Sequence, residues 1–235
     1  MSLELVISDL DGTVVETEDY HRRAYNALFR ELDLARHWSE EDYRVRLANM
    51  GGGKFEEILT WLPQPVNNRE ETISKLYARK TDLYVDLVVN DLQSGELSPR
   101  PGVESLFRQI VHSGIGLAIG SACVKWAAEK VLEASLGMDL IESLATVCAG
   151  DDVVAKKPDP AVYLLVAERC RVDPANCLVI EDTRHGMEAA LHAGMRCLVT
   201  PSELAKTDAF PEAGAKLESL EGLGIRELRG LWEIC

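Results

Sequence analysis

No run of 18 apolar residues occurs in the chain, which excludes a membrane-spanning helix of ordinary length. A secretory leader is not expected from the opening Met1-Ser2-Leu3-Glu4-Leu5-Val6-Ile7, which has an acid where such a leader carries base and whose apolar stretch is short. No two of the six cysteines (Cys123, Cys148, Cys170, Cys177, Cys197 and Cys235) have Cys-x-x-Cys spacing, which argues against a zinc site and a dense disulfide framework. They read as reduced, mostly buried thiols of a cytoplasmic protein. Concentrated base is also lacking. With a net charge of −14 and no basic patch, the chain repels phosphodiester backbones and anionic lipid, so neither nucleic acid nor a membrane is an expected partner. A small anionic substrate remains acceptable if a divalent cation accompanies it.

What is present is a globular composition, 46% hydrophobic and 27% charged over 235 residues, long enough for a large core with an accessory domain. Residues 3–8 form a short apolar run that ends at Asp9, with Gly12 just beyond, the pattern of a buried strand followed by a tight turn. From Glu16 to about Asn90 the apolar spacing becomes helical, as at Ala24, Leu28 and Leu32, and predicts a four-helix insertion. Turn residues at 94–102 then give way to strand candidates at 115–119, 145–149, 178–180 and 197–199. Helical stretches near 103–112, 123–135, 159–170 and 184–193 lie around and between them. Alternating β and α units predict an α/β fold: a Rossmann-like parallel sheet with ligand sites outside the carboxyl ends of its strands. The expected division is a catalytic core of residues 1–15 and 96–235 around a helical cap of residues 16–95.

Four groups of residues at the expected strand ends carry chemistry. In Asp9-Leu10-Asp11-Gly12-Thr13 the alternation of an extended segment sends both carboxylates to one side. At about 4 Å and an effective dielectric near 20, their repulsion is about 4 kcal/mol, which invites a divalent cation or a shared proton. Beside such a cation Asp9 is a nucleophile needing no base, while Gly12 and Thr13 offer a close backbone and a hydroxyl to a phosphate. Taken alone, the same five residues also fit a turn whose aspartates satisfy backbone amides. Gly120-Ser121-Ala122 places a hydroxyl after the second strand, although a helix N-cap needs one there too. In Lys156-Lys157-Pro158-Asp159-Pro160 the prolines fix a turn that projects Lys157 toward an anion, with Lys156 left to solvent. Glu181-Asp182 ends a buried strand, where paired acids suit oxygen ligation of Mg²⁺ or, failing that, cap the next helix.

In this order the four groups resemble the motifs of the haloacid dehalogenase-like phosphatases over essentially the whole chain. The resemblance implies Asp9 as nucleophile, Asp11 as general acid and base, Ser121 and Lys157 as phosphate binders with Ala122 beside them, and Asp182 as a metal ligand with Glu181 beside it. Mg²⁺ is the implied metal, held by Asp9, Asp11, Glu181 and Asp182. The stretches Asp9 to Asn26, Gly51-Gly52-Gly53-Lys54 and Val199-Thr200-Pro201-Ser202 are similar to the CbbY-type sugar-bisphosphate phosphatases, which implies a phosphosugar substrate, best xylulose 1,5-bisphosphate. Two departures stand out: Ser8 occupies a position usually aromatic, and Gly120-Ser121-Ala122 lacks the usual second polar residue. In such enzymes a cap selects the substrate, and Glu16, His21, Tyr43, Arg46, Gly52, Gly53, Lys54 and Lys80 are the candidates here. The expected protein is a monomer. A β-phosphoglucomutase-like mutase resembles the chain at Glu16, His21, Lys80 and Lys157 and is the alternative, with a phosphoglycolate-type phosphatase third.

Overall fold

The computed structural model describes residues 2–47 and 53–234, and divides the chain into two compact units, Met1–Glu16 with Gly95–Cys235, and Thr17–Ser94. Among the described residues, no helix is long and apolar enough to cross a membrane, and Cys148, Cys170 and Cys177 are thiols outside any disulfide.

The first unit is built on a six-stranded sheet comprising β1 (Leu5–Ser8), β2 (Gly116–Gly120), β3 (Thr146–Cys148), β4 (Cys177–Glu181), β5 (Arg196–Val199) and β6 (Ala215–Lys216). All neighbours pair in parallel, in the order β3-β2-β1-β4-β5-β6. Every residue of β1 and β4 is buried, as expected of strands covered on both faces. Leu5, Ile7, Ala118, Val179 and Cys197 pack with Tyr163 and Val166 of α8 (Ala161–Cys170) and Met187 and Ala190 of α9 (Arg184–His192). The chain runs outward from β1 to β2 and β3, then returns to place β4 on the other side of β1. Strand order therefore reverses at β1, and the crevice at the carboxyl ends of β1 and β4 is the switch point where open α/β sheets bind ligands.

The expected strands are all present, with bounds shifted by a residue or two. Short or terminal elements escaped the periodicity: the five-residue helix Met138–Glu142, the two-residue β6 and the closing helix Ile225–Ile234.

The second unit contains α1 (Glu18–Glu31), α2 (Glu40–Leu47), α3 (Gly53–Leu59) and α4 (Arg69–Ser94). Ala24, Tyr25, Leu28 and Phe29 form the buried stripe of α1, and α4 buries Leu76, Tyr84, Val85 and Val88. Between α1 and α2, the buried Asn26 side chain accepts from the Trp38 amide at 2.7 Å and donates to the Trp38 carbonyl at 2.9 Å. Both backbone groups of this link are thereby satisfied, and Trp38 is held against Tyr25, Phe29 and Trp61.

Candidate active site at the carboxyl ends of the strands

The register of β1 fixes the centre of the site. Ser8 lies opposite Ile119 on one side and Ile180 on the other, and the Asp9 amide donates to the Ile180 carbonyl at 2.9 Å. Asp9 thus follows β1, Ser121 follows β2, Glu181 closes β4 and Asp182 comes next, all at one end of the sheet.

Lys157 reaches this end from the segment between β3 and α8. Its ammonium lies 2.5 Å from Asp9 Oδ1, 2.7 Å from Glu181 Oε1 and 3.0 Å from the Gly120 carbonyl, with all three side chains buried. The three donors of the ammonium are used, and its position is set by two carboxylates and a strand end. Glu181 is held on both oxygens: Oε1 also accepts from the Tyr163 hydroxyl at 2.5 Å, and Oε2 accepts from the amides of Asp182 at 3.0 Å and Thr183 at 3.3 Å.

Asp9, Glu181 and Asp182 can each offer a carboxylate oxygen so that the three lie within 4.8 Å of one another. One ammonium therefore faces three buried carboxylates. Burial, only partly countered by Lys157 and reinforced by the charge of Glu181, raises the Asp9 carboxyl well above its usual range. Burial pushes the pKa of Lys157 down, but Asp9 and then Glu181 outweigh it and raise it. Glu181, despite burial, is lowered by the charge and hydrogen bond of Lys157 and by Tyr163. The positive charge of Lys157 is shared between Asp9 and Glu181, with Asp182 beside them. An all-oxygen, acidic donor set of this kind fits a hard divalent cation.

Gly12 lets this cluster close. Its φ of +81° belongs to the left-handed region, and a Cβ there would lie 2.2 Å from Asp182 Oδ2. The Gly12 amide donates to the Val15 carbonyl at 2.7 Å, and the Thr13 hydroxyl lies 3.4 Å from Asp182 Oδ1. These groups shape the turn and hold Asp182. Asp11, half-buried, pairs with Val15 in an isolated bridge and is not one of the three clustered acids. Ser121 is fully buried and its Oγ accepts from the Cys123 amide at 3.0 Å, while Ala122 is exposed. Lys156, expected to be solvated, donates to the Gly150 carbonyl. Glu16 accepts from the Glu203 amide at 3.1 Å, and burial raises its carboxyl.

The helical unit has a cationic cluster of its own. Lys80, buried, places its ammonium 2.6 Å from His21 Nδ1 and 5.1 Å from the ring centroids of both Tyr25 and Tyr84. His21 stacks on Tyr84 at 4.0 Å. Burial, then the charges of Lys80 and Lys54, pull His21 well below its usual pKa, so the ring is neutral and Nδ1 accepts from Lys80. Lys54, partly buried, is lowered as well, by desolvation. Two cap candidates are held by contacts within the helical unit. Arg46 is claimed by a two-bond pair with Glu57, at 2.9 and 2.6 Å, and covers Trp38 at 4.8 Å, because α3 turns an acid toward α2. Tyr43, 4% exposed, sits in the aromatic cluster with Tyr25 and Trp38. Gly53 is the exposed first residue of α3, and Gly51 and Gly52 lie outside the described residues.

Two contributors went unread in the sequence. Tyr163 is a helix residue whose core spacing hides its hydroxyl contact. Arg100, in a Pro-Arg-Pro-Gly turn, donates to the carbonyls of Gly12, of Thr200 at 2.7 Å and of Pro201 at 2.8 Å, and so ties the Asp11 turn to the segment after β5. A lone charge between two prolines was its only signal.

The fold and the acid cluster at its switch point define a Rossmann-like α/β protein with an acidic centre, and comparison with known proteins gives its family. Residues 3–194 match the model of the haloacid dehalogenase-like hydrolases, and the chain belongs to that family as an enzyme of the phosphatase kind. Protein CbbY of Rhodobacter capsulatus is 35% identical over 232 residues, covering 97% of this chain and 98% of that protein. Among solved structures, CbbY from Rhodobacter sphaeroides in complex with phosphate superimposes with a TM-score of 0.84 at 32% identity, over 96% of this chain and 99% of that one. A mutant of the same protein in complex with xylulose-(1,5)bisphosphate gives 0.84 at 31% identity, over 96% and 99%.

Proposed function

We propose that this chain is a Mg²⁺-dependent phosphatase of a small phosphosugar, best matched by xylulose 1,5-bisphosphate, acting through a phosphoryl group carried on Asp9. The observation that carries the reading is the buried Asp9 carboxylate, fixed at 2.5 Å by Lys157 beside Glu181 and Asp182. Similarity to a CbbY protein crystallised with xylulose bisphosphate supports the choice of substrate.

Asp9, Asp182 and Glu181 would hold the metal, which when bound neutralises the phosphoryl oxygens and lets Asp9 remain an anion. Lys157 orients Asp9 and adds a further charge against the phosphoryl oxygens. A bond forms between an Asp9 oxygen and phosphorus as the bond from phosphorus to the sugar oxygen breaks, and Asp11 gives that oxygen its proton. Asp11, now a carboxylate, takes a proton from water; the water oxygen bonds to phosphorus, and the bond to Asp9 breaks with release of inorganic phosphate. Residues 1–15 and 96–235 are assigned to this chemistry. Residues 16–95 are assigned to selection, with Lys80, Lys54 and His21 for the far phosphate or sugar hydroxyls.

Incubation with xylulose 1,5-bisphosphate and Mg²⁺ tests the reading by release of inorganic phosphate. Release that ceases on chelation and in Asp9→Asn is the expected result. Isomerised monophosphate without release would make the protein a mutase, and release unchanged in Asp9→Asn would overturn the assignment of Asp9.

A further inference from the structure

Tyr163 is fully buried in the first turn of α8 and touches the site in two chemically separate ways. Its hydroxyl donates to Glu181 Oε1 at 2.5 Å, the oxygen that also accepts from Lys157 at 2.7 Å. Its ring lies 4.7 Å from the Lys157 ammonium and has a fixed seat on β2: a Cβ added at Gly120 would come within 3.0 Å of ring atoms Cδ1 and Cε1.

The hydrogen-bond count gives the hydroxyl a role. With Tyr163 and Lys157 on Oε1 and the Asp182 amide, the Thr183 amide and the Thr183 hydroxyl on Oε2, Glu181 has five donors arranged around it and a single orientation. Lys157 has no spare donor, so whatever Glu181 loses elsewhere it regains only by drawing Lys157 closer, away from Asp9 at 2.5 Å.

We propose that Tyr163 is a positioning residue of the phosphatase centre: its hydroxyl holds Glu181 so that the Lys157 ammonium stays divided between Glu181 and Asp9. The inference rests on the functional reading above, in which Asp9 is the nucleophile and Glu181 faces the metal. Groups standing behind metal-facing carboxylates typically change metal affinity or activity by about 10 to 100-fold when removed.

Tyr163→Phe keeps the ring, its seat on Gly120 and its contact with Lys157, and deletes only the hydroxyl. The expected result is a fall in kcat of about tenfold with KM for the phosphosugar within about twofold, because Asp9 and not substrate binding is disturbed. Mg²⁺ titrated calorimetrically into the substrate-free protein should bind about tenfold more weakly. In a Glu181→Gln background, Tyr163→Phe should change Mg²⁺ affinity by less than about twofold, since the residue acts through Glu181. A tyrosine that merely packs predicts otherwise: Tyr163→Phe equal to wild type in kcat and in Mg²⁺ affinity, with losses only in Tyr163→Leu. That result overturns the proposal, as does a full effect in the Glu181→Gln background. The calorimetry needs no substrate and separates the two claims. A wild type that releases no phosphate, with Mg²⁺ binding weakened in Tyr163→Phe, would sink the functional reading and leave the role of Tyr163 standing.

Discussion

At the level of single residues, Asp9 and Asp11 are two carboxylates one residue apart with separate environments. Asp9 is buried against Lys157 and close to Glu181 and Asp182, which confines it in one place and keeps bulk water off it. Asp11 is half-buried at the turn held by Gly12 and Arg100, where a proton can be exchanged with solvent. Asp9→Asn, a neutral amide that cannot form the acyl phosphate, should abolish phosphate release, measured at saturating substrate. Asp11→Asn should lower kcat by about 10² to 10⁴-fold, the usual worth of a positioned acid and base, and should let the phosphorylated protein accumulate.

Among the elements, helix α1 couples packing to charge. His21 is held neutral in the folded state by burial and by Lys80 and Lys54, whereas in the unfolded chain it titrates near 6.5. Below that pH the unfolded state binds a proton that the folded state does not, so stability falls as pH drops through about 6.5. The slope is at most about 1.4 kcal/mol per pH unit. Melting temperatures between pH 5 and pH 7.5 should show this loss in the wild type and a shallower one in His21→Asn. On the same helix, Asn26→Ala leaves the buried Trp38 amide without its acceptor, while Arg22 still donates to the Trp38 carbonyl, and should cost about 1 to 3 kcal/mol in urea unfolding.

The long elements were legible because their apolar residues repeat: the all-buried β1 and β4, and the Ala24-Leu28 stripe of α1, declare themselves without tertiary information. Helix Met138–Glu142 and strand β6 are too short to show a period, and their neighbours decide their conformation. The site was legible where residue types are unusual at a strand end, as for Asp9, Lys157, Glu181 and Asp182. Arg46 was singled out because a cation near glycines suggests an anion site, and only the fold shows that Glu57 pairs with it. Tyr163 was hidden for the opposite reason, since an aromatic on a buried helix face looks like packing.

For the molecule as a whole, the acidic balance and the acid cluster make one argument. A chain of net charge −14 binds an anionic substrate only where cations are concentrated, and the structure provides them sparingly: Lys157 at the sheet, Lys80 and Lys54 in the helical unit. In the proposed reading Mg²⁺ would supply positive charge beside Asp9. Binding to the folded state alone should therefore raise the melting temperature, with a shift that grows with Mg²⁺ concentration and vanishes in Asp182→Asn. The most direct test of the account traps the Asp11→Asn protein with phosphosugar and Mg²⁺ and maps the phosphoryl group by mass spectrometry of acid-quenched peptides. The account predicts one added phosphoryl group on the peptide that carries Asp9. A bare Asp9 peptide beside a phosphoryl group on another residue would contradict it.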